Sequence, residues 1–297
     1  MDAPATGPTE LGDFLRTRRA RLQPEDVGLV SYGARRRVPG LRREELAQLA
    51  GVSVAYYTRL EQGQSHHASE GVLDALARAL RLSPDERAHL HQLSRPARTR
   101  RRPAVRHDKA RPGVRQLLSA LDGVPAVALG PRFEVLTWNR LGHALLAGHL
   151  CFDSPTRPLD RPNTQRLFFL DPHTRELYPE REQEARRAVA SLRVAAGRFP
   201  DDPQLTELIG ELSMKSTEFS ALWSRHAVSN CTFGTKHFHH PLVGALTLDF
   251  EMMHTPDGSG QGLLMYTAAE GSPSEAALRL LAAERRPDAR VLEPERP

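Results

Sequence analysis

The chain is poor in cysteine, in lysine and in long apolar runs. Only two cysteines, Cys151 and Cys231, occur in 297 residues, which excludes a disulfide-stapled scaffold and leaves two thiols that read as unpaired. No apolar stretch approaches the roughly 20 residues of a membrane-spanning helix. No apolar signal segment stands at the N-terminus, so a cytoplasmic home and no membrane partner are expected. Also missing are a nucleophile set beside a base, a glycine loop that cradles phosphate and a metal motif of firm spacing. No catalytic residue, metal ligand or cofactor is therefore expected. Only three of the 41 basic residues are lysine. The positive charge thus sits on guanidinium groups, which fork onto phosphate or a guanine edge, although a GC-rich genome also favours arginine codons.

What is present is a soluble, two-domain composition with its charge unevenly divided. Hydrophobic residues make up 39% and charged residues 26% of the chain, and its length suits two cores rather than one. Residues 1–115 carry 22 Lys and Arg against 13 Asp and Glu, whereas residues 116–297 carry 19 against 23. A basic front and a mildly acidic back point to a polyanion partner for the first part only.

Residues 1–9 lack periodicity and read as a disordered tail. Helical spacing starts at Leu11, with Leu11, Phe14, Leu15 and Leu22 on one face and Arg16, Arg18, Arg19 and Arg21 around it. A loop with Arg35, Arg36 and Arg37 follows, then helical patterns over 42–50, 53–62, 69–80 and 83–93. Ser83, Pro84 and Glu86 spell a capping box for the last of these. That makes an all-α, five-helix domain over 10–94. Residues 95–115, rich in Arg and interrupted by Pro96, Pro103 and Pro112, read as a basic linker. The domain over 116–284 mixes strands (124–129, 134–138, 232–239, 245–253, 262–268) with helices (139–146, 180–198, 203–214, 217–226) and a final helix started by Ser272, Pro273 and Glu275. Short Gly- and Pro-containing connections make antiparallel hairpins the natural pairing, hence an α+β domain with an antiparallel sheet. Residues 285–297 read as a tail.

The most informative stretch is RREELAQLAGVSVAYYTRLEQG at 42–63. Leu46, Leu49, Val52, Tyr57 and Leu60 are spaced for two short helices that cross at Gly51 over a shared core, and Ala47 is small where they approach. Ser53 is placed to cap the second helix. In a helix-turn-helix that second helix enters the major groove. Val54, Ala55, Thr58 and Arg59 are then the candidates for base contact, with Arg59 forking onto guanine and Val54 and Ala55 against a thymine methyl. Arg35, Arg36, Arg37, Arg42, Arg43, Gln48, Ser53, Tyr56 and Gln62 are candidates for the phosphate backbone. The blander possibility is an ordinary helical hairpin with Arg59 paired to a nearby acid.

On the phrases GLRREELAQLAGVSVAYYTRLEQG, VLDALARAL, LTWNR, RLFFLDP, ELSMKSTEFSALWSRH and GTKHFHHPLVGALTLDFE, the chain resembles the MmyB-like transcription regulators. This family carries an Xre-type helix-turn-helix and is common in actinobacteria. The resemblance implies a PAS-like C-terminal domain for a small apolar ligand such as a fatty acid, and a repressor or activator acting on a double-stranded DNA operator. Paired recognition helices further suggest a homodimer.

Within the second domain, Trp138, Phe168, Trp223 and Phe238 are candidates to line an apolar pocket, with Asn139 as a polar anchor; ordinary core packing and helix capping are the competing roles. The run Lys236, His237, Phe238, His239, His240 lies near Cys231 and offers ligand types found in zinc and copper sites, but without a second pair at firm spacing. The family more often has Arg where His237 and His239 stand. Two other functions stay open: a metal-dependent enzyme tethered to DNA, and a nucleoid or interaction protein with a degenerate pocket.

Overall fold

The computed structural model describes residues 10–29, 40–64, 68–94, 109–229, 231–257 and 259–284. The chain divides into two compact units, one formed by Met1–Pro103, Val189–Thr206 and Ser220–Asn230, the other by Ala104–Ala188, Glu207–Phe219 and Cys231–Pro297. Among the described residues, no helix is long and apolar enough to cross a membrane.

The first unit contains α1 (Glu10–Arg21), α2 (Arg43–Leu49), α3 (Val54–Glu61), α4 (Glu70–Ala79) and α5 (Pro84–Leu93). A short 3-10 turn, Pro24–Val27, lies in what the sequence presents as loop. Leu11, Phe14 and Leu15 of α1 meet Leu46 of α2, Tyr57 and Leu60 of α3, Leu73 and Leu76 of α4 and Leu90 of α5 in one core. Each such side chain contributes roughly 1.5–3 kcal/mol on burial. Val228 and Val194 join the same core, so segments distant in sequence complete the helical unit. The spacing of hydrophobic residues therefore finds the helices but misses these two contributors. Leu49, expected inside, is 36% exposed; it is the last residue of α2. Gly40 has φ +81, and a Cβ there would stand 2.5 Å from the Ala20 carbonyl oxygen, so only glycine fits.

Two arginines of α1 also lie inside this unit. Arg19 donates from Nε and Nη2 to both carboxylate oxygens of Glu61 on α3, at 3.1 and 2.8 Å, and from Nη1 to the Leu41 carbonyl at 2.6 Å. Burial alone would raise the Glu61 carboxyl, but the paired guanidinium outweighs it and holds it below the usual carboxylate range. Arg18, equally buried, donates to the His226 carbonyl at 2.6 Å and lies 3.2 Å from Glu86.

The second unit is built on a five-stranded antiparallel sheet in the order β2-β1-β5-β4-β3, from β1 (Ala126–Leu129), β2 (Val135–Trp138), β3 (Phe233–His240), β4 (Gly244–His254) and β5 (Gly262–Thr267). Along β4, Leu246, Leu248 and Phe250 are buried while Ala245, Thr247 and Asp249 are exposed, the alternation of a sheet covered on one face. That face packs on α7 (Arg140–Ala147) through Leu141, Ala144 and Leu145. It also meets α13 (Pro273–Glu284) through Ala277, Leu278 and Leu281. Ser272 accepts from the Glu275 N–H as a cap should, but the Glu275 carboxylate reaches the Gly271 N–H instead of closing a box. Three helices arise where the sequence reading assigned none: α6 (Pro112–Ala120), α8 (Thr164–Leu170) and α9 (Pro172–Leu177). Proline stands first in α6 and α9, where its missing N–H costs nothing, so a residue read as an interruption is a starter. The helices α10 (Arg181–Arg198), α11 (Pro203–Lys215) and α12 (Thr217–Trp223) have residues in both units.

Candidate functional site

The helix-turn-helix is made by α2, a turn at Gly51 and α3. Gly51 takes φ +65, a left-handed conformation that costs glycine little. The Ser53 hydroxyl then accepts from the Tyr56 N–H at 3.2 Å and satisfies one orphan donor at the start of α3. Tyr57 and Leu60 are fully buried against the core. Helical spacing turns Val54, Ala55, Thr58, Arg59 and Gln62 onto the opposite face. There Val54, Ala55, Arg59 and Gln62 are exposed and Thr58 is half-buried. Arg59 makes no ion pair with any described residue, so it is not spent on a neighbouring acid.

Among the candidates for phosphate contact, Arg42, Arg43, Gln48 and Ser53 are exposed and Tyr56 is half-buried. They are not equivalent. The Arg43 guanidinium donates to Glu61 at 3.1 Å, whereas the Arg42 side chain has no partner among the described residues. Arg35, Arg36 and Arg37 lie outside the described residues.

Elsewhere in this unit, Glu10, Phe14, His89, Arg193, Ala196 and His226 line a small cavity. His89 of α5 lies edge-on to Phe14 at 5.3 Å. A Cβ on Gly197 would stand 2.7 Å from its ring, so α10 comes this close to α5 because residue 197 is glycine. Burial first, then the nearby Arg193 charge and His226, push the His89 imidazole down to about 4. Trp223, expected in a ligand pocket, belongs to this unit, where the Arg193 guanidinium stacks 3.9 Å from its ring centroid.

In the second unit the remaining aromatic candidates sit in two groups. Phe168 and Phe238 form part of a row of touching rings, Phe219, Phe169, Phe168, Tyr178, Phe238 and Tyr266, with successive centroids 4.9–5.5 Å apart. Trp138 lies apart from it, against His143 at 4.8 Å, with its indole N–H donating to the Phe152 carbonyl at 2.8 Å. Asn139 is committed to the fold: its oxygen accepts from the Gly142 and Ala126 N–H groups, and its amide donates to the Leu121 and Val124 carbonyls. It is the cap of α7, with its hydrogen-bonding capacity filled. Tyr178 and Tyr266 complete the row beyond the sequence candidates; alternation along β5 is the signal that puts Tyr266 inward.

Among the described residues, the histidine run is part of no metal-binding cluster. His240 is buried, with Nε2 3.0 Å from the Ala144 carbonyl and Nδ1 accepting from the Leu242 N–H. His237 lies 3.1 Å from the Thr247 hydroxyl, and His239 is exposed. Lys236 pairs with the buried Glu184 at 2.7 Å and lies 5.0 Å from the Phe250 ring centroid.

A helix-turn-helix with the outer side of α3 exposed, followed by an α+β unit, fits a DNA-binding transcription regulator with a ligand domain, and the comparisons support that class. Residues 10–90 match the family described as helix-turn-helix domain, and residues 110–281 match the MmyB-like transcription regulator ligand binding domain. The chain belongs to the MmyB-like transcription regulators. No curated protein matches it.

Proposed function

We propose that this regulator is sequence-specific, reading an operator through α3 and controlled by a small apolar, fatty-acid-like ligand in its second unit. In this reading Val54, Ala55, Thr58 and Arg59 meet base edges. Arg35, Arg36, Arg37, Arg42, Arg43, Gln48, Ser53, Tyr56 and Gln62 hold the backbone, with Arg43 contributing least because Glu61 shares its charge. The observation that carries the proposal is the face of α3: Arg59 is exposed and unpaired among the described residues while the residues on the opposite side are buried. Two copies, each presenting one such helix about one DNA turn apart, are the arrangement that fits a palindromic site.

The aromatic row supports the apolar ligand. Phe168 and Phe238 lie in it, and an acyl chain entering there exchanges ring contacts for chain contacts without exposing polar groups. Trp138 lines an adjoining part of the core, while Asn139 and Trp223 keep structural roles. Regulation requires the ligand to bind the DNA-competent and incompetent states with different affinity. Selection of duplexes from a random pool tests the DNA half; enrichment of a short, two-fold symmetric motif is expected, and a pool that stays random overturns it. DNA titration with and without long-chain fatty acids tests the other half. A several-fold change in affinity is expected, and identical curves remove the sensor role.

A further inference from the structure

Among the described residues, His149, Asp171 and His173 form a group in which one imidazole nitrogen of each histidine and one carboxylate oxygen of Asp171 lie within 4.8 Å of one another. His149 follows the end of α7, Asp171 is the N-cap of α9 and His173 lies in the first turn of α9. His149 Nε2 is 3.1 Å from Asp171 Oδ2, and His173 Nδ1 is 3.8 Å from Asp171 Oδ1. The two rings stack, with centroids 4.6 Å apart and planes 13° apart. Two imidazoles thus turn toward one carboxylate from the same side, in a place open to solvent.

We propose that His149, Asp171 and His173 form a binding site for a divalent transition-metal ion of the zinc type. The donor set selects the metal: two imidazole nitrogens and one carboxylate suit zinc, cobalt or nickel, whereas calcium and magnesium take shells of oxygen. With metal–nitrogen bonds of about 2.0–2.1 Å, two nitrogens on a tetrahedral ion stand about 3.3 Å apart. The His173 side chain is 69% exposed, so its rotation closes the remaining distance without disturbing the core. Three protein ligands leave a position for water or an outside group, the pattern of an open site rather than a closed structural one. Asp171 keeps its existing role meanwhile, since its Oδ1 accepts from the Thr174 N–H at 2.8 Å while Oδ2 faces His149.

The site would join two elements of the ligand domain. Leu141, Ala144 and Leu145 of α7 share a core with Leu177 at the end of α9, and Tyr178 of the aromatic row follows directly. An ion held between His149 and the first turn of α9 therefore ties two walls of that core together. Metal binding itself does not depend on the operator or acyl-ligand readings; only this effect on the aromatic row does.

The test uses tag-free, chelator-treated, full-length protein titrated with Zn2+ by calorimetry and with Co2+ by visible absorption. One ion per chain, d–d bands of nitrogen and oxygen ligation, and a Tm that rises with metal concentration are expected. His149→Ala and His173→Ala should each weaken binding about tenfold or more. Asp171→Asn should do the same while leaving the metal-free Tm in place, because asparagine is an equally good N-cap. His239→Ala should bind like the unmodified chain. No saturable binding, or binding that survives in the His149→Ala, His173→Ala double variant, overturns the proposal; so does binding that disappears with His239→Ala.

Discussion

Arg19 and Arg59 are the same side chain in the same small helical unit, put to opposite uses. Arg19 is buried and held by three hydrogen bonds to Glu61 and Leu41; Arg59 stands on the surface of α3 without an ion-pair partner among the described residues. The contrast separates the charge that builds the unit from the charge left on its surface. The 22 basic residues of the first 115 overstate the second kind, since Arg18 and Arg19 are interior and Arg43 is shared with Glu61. Glu61 is the pivot, because it ties α1 and α2 to the last turn of α3 and so fixes the helix that carries Arg59.

The contrast can be broken most forcefully at the buried pair. Glu61→Ala should cost about 3–5 kcal/mol, because it leaves the Arg19 charge buried without its counterion. Urea denaturation checks this, and a loss below about 1 kcal/mol would show that the pair holds nothing. Acid should act next. Below pH 6.5 the unfolded chain takes up a proton that folded His89 refuses, so stability falls as the pH drops from 6.5 toward about 4, by about 3 kcal/mol at the lower end. His226, also lowered, by burial and then Arg193, adds to the loss in the same direction. His89→Leu should flatten the melting-temperature profile across that window. Ser53→Ala should cost about 1 kcal/mol through the lost cap on α3, measurable as a lower denaturation midpoint. Arg42→Ala should leave stability within about 0.5 kcal/mol. It should weaken all duplexes alike, with a salt slope shallower by about one.

Local chemistry was legible; long-range partnership was not. The pair of short helices, the turn at Gly51, the Ser53 cap and the hairpins of β3 to β5 follow from spacing and turn residues that act over a few positions. Arg19 reads as one more surface charge until α3 brings Glu61 to it, because nothing in its own helix forecasts that partner. Asn139 is ambiguous in sequence for the same reason: Leu121, Val124 and Ala126 reach it only through the fold. The helices α8 and α9 escaped because each is shorter than two full turns beyond its cap, too brief for periodicity to register. The histidines at 237, 239 and 240 are close in sequence, but strand alternation points neighbours to opposite faces. His149 and His173, far apart in sequence, are the pair that meets.

The most direct test of the open face on α3 is the ratio of affinities for the enriched duplex and a scrambled one, measured by fluorescence anisotropy at one salt concentration for the unmodified protein and Arg59→Ala. The ratio should be large for the unmodified protein and should fall about tenfold or more in the variant, with the scrambled affinity nearly unchanged. A ratio near one for the unmodified protein, or one that Arg59→Ala leaves intact, would contradict the assignment of α3 as the reading helix.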